Sequence, residues 1–218
     1  MIIADTTLYQ GMRAKMIEQL RKKEIFDENV LQAMKTMPRH YFVPFSLIAH
    51  SYQDQALPIA CQQTISQPYT VAFQTTLLSV KPDMKILEIG TGSGYQAAIL
   101  KTMNTTVYTI ERHRQLYEDA KHLFATLKLN IATKHGDGHA GWTEFAPFDR
   151  IIVTCGATTI PEKLIAQLKI GGIMICPTGD KCQEMKKIVK TDENNLNITT
   201  HGYCAFVPML SQTEYQSQ

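Results

Sequence analysis

Leu8, Met12, Met16, Ile17 and Leu20 recur at helical spacing from Thr7 to about Arg21, which predicts an opening amphipathic helix. Asp27 stands where it can cap a second helix carrying Val30, Leu31 and Met34, and Pro38 ends that helix. A third is expected to open at Pro68, the tolerated first-turn position, and to bury Val71, Ala72 and Leu78. Residues 1–80 therefore read as a mostly helical extension. After Lys81 the pattern changes. Strand-sized apolar runs ("KILEI", "TVYTI", "IATKH", "DRIIVT", "GGIMICPT") alternate with helical segments ("GYQAAILKTM", "RQLYEDAKHLFATL", "PEKLIAQL"). That alternation predicts an α/β fold with a doubly wound, mostly parallel sheet. "EMKKIVKTD" and "ENNLNITTHGYCAFVPML" show period-two stretches around a Glu-Asn-Asn turn and predict C-terminal antiparallel strands at the sheet edge.

One stretch fits neither period. "PIACQQTISQPYTVA", residues 58–72, interleaves apolar Ile59, Ile65 and Val71 with the hydroxyls Thr64 and Ser66, and lacks the Gly, Asn or Asp of an ordinary surface turn. Its hydroxyls face either solvent or a ligand.

The chain has 218 residues, of which 44% are hydrophobic and 19% charged, enough for one domain with a substantial core and too few for two comfortable ones. The start "MIIADTTLYQ" has neither the basic nor the apolar region of a signal peptide, so the expectation is a cytoplasmic protein without a membrane span. Five cysteines without C-x-x-C spacing suggest neither a disulfide framework nor a metal site, and most are expected to be small buried hydrophobes. A net charge of +2 with scattered basic residues argues against nucleic acid as a partner.

Strand "KILEI" runs directly into "GTGSGYQAA", so Gly90, Gly92 and Gly94 fall where a strand turns into a helix and the backbone can approach a ligand. The pattern Glu88-x-Gly90-x-Gly92-x-Gly94 differs from the dinucleotide fingerprint G-x-G-x-x-G, which aims a helix end at a pyrophosphate. S-adenosylmethionine has no phosphate and carries a sulfonium, so an acid entering the loop suits it, either facing the positive charge or fixing loop amides. Glu111 closes the next strand, in expected register with Glu88, where a carboxylate can accept from both hydroxyls of a ribose. Asp137 and Gly138 follow the third strand at the same rim, where an acceptor for an adenine amino group would sit.

With these pieces in place, the chain resembles the protein-L-isoaspartate (D-aspartate) O-methyltransferases over nearly its whole length. The resemblance rests on "MPRHYFVP", "SYQDQALPI", "TISQPYTVAFQTTLL", "LEIGTGSGYQAAIL", "GDGHAGWTEFAPFDRIIVTCGA", "IPEKLIAQLKIGG" and "FVPM". The glycine loop is shared by many methyltransferases, whereas Thr64 to Pro68 followed by Gly136-Asp137-Gly138 is specific. The resemblance implies a single methyltransferase domain, 1–218, with a substrate loop in residues 1–80 and the cofactor-binding sheet and terminal strands in 81–218. It also implies methyl transfer from S-adenosylmethionine, leaving S-adenosylhomocysteine, to the free carboxylate of isoaspartyl residues in damaged proteins and peptides. The ester then promotes succinimide formation and repair. On this reading the cofactor contacts Gln63, Thr64, Ile65, Glu88, Gly90, Thr91, Gly92, Ser93, Glu111, Arg112, Asp137 and Gly138. Ser66 is the catalytic hydroxyl, and Thr64, Ile65, Ser66, Val207 and Pro208 line the substrate side, the last two through backbone hydrogen bonds. A monomer that acts on isoaspartyl proteins, without nucleic acid or membrane, is expected.

The chemistry needs no strong base, because a carboxylate with a pKa near ~4 is already ionised at neutral pH. His40, His113, His135 and His139 are therefore read as bystanders. Two departures stand out: Ala60-Cys61-Gln62 replaces the Gly-x-Gly of many bacterial members, where Ala60 could restrict the backbone, and Cys155-Gly156 replaces Ala-Ala. Cys61 is expected near the pocket. Transfer to an amino group or to cytosine is disfavoured by the absence of an Asn-Pro-Pro-Tyr-like clamp or a Pro-Cys nucleophile. A non-catalytic binding module is disfavoured by the intact Ser66, Glu111 and Asp137, and a dehydrogenase by the glycine spacing.

Overall fold

The computed structural model describes residues 3–213. Helix α1 (Thr7–Lys22) buries Met16, Ile17 and Leu20. Asp27 caps α2 (Glu28–Thr36) by accepting from the amides of Asn29 and Val30, which leaves Val30, Leu31 and Met34 to pack inward. Two short 3-10 turns follow, and then a minimal hairpin of β1 (Leu57–Pro58) and β2 (Thr64–Ile65), paired antiparallel.

Helix α3 (Pro68–Leu78) opens with Pro68 in its first turn, where the missing N–H is not needed. Its own N-cap Gln67 supplies no side-chain bond; Asp54 does so from a distance, accepting from the Tyr69 amide at 2.7 Å while pairing with Lys23. Thus "SYQDQALPI" is tied to the start of the helix that follows the Thr-Ile-Ser segment.

The α/β unit comprises β3 (Lys85–Ile89), α4 (Tyr95–Thr102), β4 (Thr106–Glu111), α5 (Arg114–Thr126), β5 (Ala132–His135), β6 (Phe148–Val153), α6 (Glu162–Ala166), β7 (Leu168–Thr178), β8 (Gln183–Lys190) and β9 (Leu196–Cys204). The strands form a seven-stranded sheet ordered β5-β4-β3-β6-β7-β8-β9. Its first five strands are parallel, and β8 and β9 are added antiparallel. This is the doubly wound, mostly parallel sheet expected from the sequence, with its helical extension and terminal antiparallel strands. The strand order reverses at β3, between β4 and β6, and ligands bind at such a switch point beyond the carboxyl ends of the strands.

Alternation along the strands separates two cores. Ile86, Val107, Ile152 and Ile175 face α1–α4, whereas Leu87, Ile89, Ile151 and Val153 face the other side. The "MPRHYFVP" segment braces the first core. Fully buried Arg39 lays its guanidinium over the Tyr95 ring at 4.9 Å, and Phe42 packs edge-on against the same ring at 5.4 Å. Burial drives the Arg39 pKa down to about 10. Tyr95 opens α4, so this segment fixes the helix that carries the glycine loop.

Three expectations are corrected. Glu88 pairs in register with Thr109, and Glu111 lies two residues further along β4 on the same face. Of the cysteines only Cys176 is buried; Cys61, Cys155 and Cys204 are half-buried and Cys182 is exposed, because most lie in loops or on edge strands. Ala60 has an ordinary φ, and the left-handed positions are Cys61 (57°) and Gln62 (55°), so the strain of this Gly-poor turn falls one residue later than expected.

Candidate active site

A cavity opens beyond the carboxyl ends of β3, β4 and β6. Its floor is the glycine loop. Gly90, Gly92 and Gly94 all have positive φ, and a Cβ at Gly90 would stand 2.6 Å from the Thr154 hydroxyl, so only glycine lets the loop lie against the end of β6. Gly94 ends the loop as the N-cap of α4.

Glu111 forms one wall. It is 4% exposed, and its two oxygens accept from the amides of Gly92 (2.8 Å) and His113 (2.9 Å). Each carboxylate oxygen keeps a further lone pair for a ligand hydroxyl. Arg112, His113 and Gly138 continue this wall. The opposite wall comes from the stretch that fitted no period: Gln63, Thr64, Ile65 and Ser66 all border the cavity. The Ser66 hydroxyl makes no hydrogen bond with other described residues, which leaves it open to a ligand. A last segment, 207–210, closes over the top. Gly156 N–H donates to the Val207 carbonyl and Met209 N–H to the Gly156 carbonyl, both at 2.8 Å. Further along, Gln212 N–H reaches Asp137 Oδ2 and Arg112 Nε reaches the Gln212 carbonyl.

Most of the residues expected at a ligand therefore meet in one cavity: Gln63, Thr64, Ile65 and Ser66; Gly90, Thr91, Gly92 and Ser93; Glu111, Arg112 and Gly138; and Val207 and Pro208. Two expected cofactor contacts do not line it. Glu88 is fully buried beneath the loop, on the α4 side of β3, with Oε2 accepting from Thr109 Oγ1. Burial, the largest effect, raises its pKa to about 8. Glu88 is thus linked to the loop from below, through Thr109 and Thr91, and does not line the cavity. Asp137 stands at the rim with Oδ1 accepting from His139 N–H and Oδ2 from Gln212 N–H. Burial raises its pKa, but these backbone donors outweigh it and the carboxyl is held below its usual range. Of the backbone groups of Val207 and Pro208 expected on the peptide side, the Val207 carbonyl already accepts from Gly156 N–H.

Other positions were not foreseen. His113, read as a bystander, lines the cavity, and its place two residues after Glu111 was the available signal. Gln96, Cys155 and Met209 also line it; each lies within a stretch that carries the resemblance, but none was named as a ligand contact. Cys61 is absent from the lining and faces Gln115 at the start of α5; Cys155 is the thiol at the cavity, with burial raising its pKa. Among the described residues no cluster of three or more His, Cys, Asp or Glu could hold a metal ion.

The model for the family described as Protein-L-isoaspartate(D-aspartate) O-methyltransferase matches residues 11–214. A protein-L-isoaspartate O-methyltransferase of Flavobacterium johnsoniae is 50% identical over 209 residues, covering 94% of this chain and 97% of its own. That of Cytophaga hutchinsonii is 46% identical over 215 residues, with coverage of 98% and 97%. Among solved structures, a protein-L-isoaspartate O-methyltransferase superposes with a TM-score of 0.81 at 30% identity, over 90% of this chain and 65% of that one. A beta-aspartate methyltransferase from Plasmodium falciparum, solved in complex with S-adenosyl-L-homocysteine, gives 0.80 at 24% identity, covering 91% and 98%. A matched family model spanning almost the whole sequence, close relatives of equal length and the shared fold lead to one conclusion: the chain belongs to the protein-L-isoaspartate (D-aspartate) O-methyltransferase family.

Proposed function

We propose that this cavity binds S-adenosylmethionine with its ribose at Glu111 and its reactive end toward Ser66, and that an isoaspartyl side of a damaged protein enters over Ser66 to be methylated on its free carboxylate. The observation that carries the reading is the joining, in one cavity, of a clamped carboxylate on one wall and an open hydroxyl on the other. The glycine cradle fits a ligand pressed against backbone, and the acid wall fits a diol and a cation where a phosphate would be repelled. When bound, the cofactor supplies an electrophilic methyl group on a positively charged sulfur.

The chain's own residues have four tasks. Glu111 accepts from the ribose hydroxyls while its other lone pairs hold Gly92 and His113. The amide groups of the loop, with Thr91 and Ser93, contact the polar remainder. Gly138 and the backbone beside Asp137 would border the base, and Asp137 holds the Gln212 backbone by accepting from its N–H. Ser66, with Thr64 and Ile65, donates to or packs against the acceptor carboxylate and aligns one of its oxygens with the methyl carbon. No proton has to be removed, since the acceptor is ionised at neutral pH; alignment and exclusion of water supply the rate. Val207 and Pro208 border the peptide, Val207 through its N–H, its carbonyl being engaged.

We read 1–218 as a single methyltransferase domain acting as a cytoplasmic monomer without a nucleic acid partner, supported by the length and the scattered basic residues. No helix among the described residues is long and apolar enough to cross a membrane. The test is incubation with methyl-labelled S-adenosylmethionine and a peptide pair differing only in an isoaspartyl or aspartyl linkage. Base-labile label on the isoaspartyl peptide alone is expected; equal labelling of both, or none, would overturn the reading.

A further inference from the structure

Thr91, Thr109 and Glu88 form a chain of side chains leading from the cavity into the sheet. Thr91 lines the cavity, its Oγ1 lies 2.6 Å from Thr109 Oγ1, and Thr109 Oγ1 bonds Glu88 Oε2. Thr109 and Glu88 have no solvent exposure. A hydroxyl has one proton to donate, so this chain has two polarities. With Glu88 ionised, Thr91 donates to Thr109 and Thr109 to Glu88, and Thr91 shows the cavity only lone pairs. With Glu88 protonated, the order can reverse, and Thr91 turns its O–H toward the cavity.

The established reaction changes the ligand's charge by one unit, from a sulfonium donor to a neutral thioether product. We propose that Glu88, Thr109 and Thr91 form a relay that carries the charge state of Glu88 to the cavity surface and thereby sets the preference for cationic donor over neutral product. The proposal rests on the cofactor reading above. By linkage, donor binding favours ionised Glu88 and the product, by comparison, the protonated form, so methyl transfer is followed by proton uptake at Glu88, and the donor is preferred over the product most strongly at high pH, where Glu88 stays ionised.

The surroundings suit a carboxyl poised between two states. Oε1 is buried without a well-formed hydrogen bond, and the Ala97 N–H of α4 faces the group only loosely. Burial raises its pKa to about 8, the Thr109 hydroxyl opposes this, and Glu111 on β4 adds to the rise. Arg39 on the segment before α4 is stacked on the Tyr95 ring and is not among the groups acting on Glu88. Helix α3 carries no Asp, Glu, Lys, Arg or His, and β6 sets Ile152 beside Glu88, with the Cys155 thiol beyond at the cavity.

Calorimetric titration of the full chain with S-adenosylmethionine and with S-adenosylhomocysteine, from about pH 6.5 to 9, tests this for wild type, Thr109→Val and Glu88→Gln. In wild type the preference for the donor should rise by about tenfold over this range, with linkage allowing at most ~10-fold per pH unit. In both variants the rise should be lost, because Val leaves Glu88 without its donor and protonated to higher pH, and Gln is neutral throughout. Titration of the ligands' own amino groups is common to all three proteins, so the difference between wild type and variants is what is read. A Thr109→Val protein with the wild-type slope would overturn the relay, whether or not Glu88→Gln folds. Failure of both ligands to bind wild type would instead overturn the cofactor reading itself.

Discussion

Glu111 Oε2 accepts a hydrogen bond from the Gly92 amide at 2.8 Å, so the acid at the end of β4 also holds the loop that follows β3. The other oxygen holds His113. Any change at Glu111 therefore releases the loop, and on the proposed reading it would also remove direct contacts to the cofactor.

Glu111→Ala is expected to weaken S-adenosylhomocysteine binding by about 2–4 kcal/mol, or roughly 30- to 1,000-fold, as charge-assisted hydrogen bonds are lost. Isothermal titration calorimetry measures it. Binding within about twofold of wild type would remove the ribose from this carboxylate.

Ser66→Ala should separate alignment from affinity. Turnover on an isoaspartyl peptide is expected to fall about 10- to 100-fold while S-adenosylhomocysteine affinity changes by less than about twofold, since the hydroxyl is assigned to the acceptor. Equal losses in both would mean that Ser66 serves the cofactor.

The turn before Thr64 offers a test of backbone strain. Gln62 sits at φ 55°, where a side chain costs about 1 kcal/mol, while Ala60 has an ordinary φ. Gln62→Gly should leave stability unchanged or raise it slightly, the relief offsetting the ~0.5–1 kcal/mol that glycine loses in backbone entropy. Ala60→Gly should cost about 0.5–1 kcal/mol in urea unfolding. The reverse order would contradict the turn geometry.

His40 predicts a pH dependence of stability. Its Nδ1 lies 2.7 Å from the Tyr52 hydroxyl, which also accepts from Arg13, and its ring stacks on Tyr9 at 4.2 Å and meets Tyr41 edge-on. Burial, the largest effect, lowers its pKa; Asp5 opposes this and the Arg13 charge adds to it. A histidine with a folded pKa below its unfolded value near ~6.5 makes the unfolded chain bind more protons, so stability is lost as pH falls below about 6.5. The melting temperature of wild type should fall more steeply than that of His40→Gln between about pH 7 and 5. Parallel curves would show that His40 does not titrate differently on folding.

Much of the architecture was legible because it is written in local spacing. Asp27, Pro38 and Pro68 mark helix ends by the chemistry of single residues, and the strand runs after Lys81 alternate with helices too regularly for another fold class. The Thr-Ile-Ser segment is assigned to a ligand from the family resemblance and Glu111 from its place at a strand end after the glycine loop, and both border one cavity. Glu88 could not be placed in the same way. Its expected register with Glu111 is off by two residues, a shift that keeps it on the same face but lowers it beneath the loop.

The sequence by itself determined the helices, the parallel sheet, the glycine turn and the residue types that gather at its rim, since each follows from backbone preference and periodicity over a few positions. Only the tertiary structure decided which acid meets the cavity and which is buried, which cysteine lines it, and that residues 207–210 lie across it tied to Gly156. Those outcomes depend on strand register and on packing between segments distant in the chain, where burial and hydrogen-bond satisfaction over the whole core select among arrangements that local pattern leaves equal.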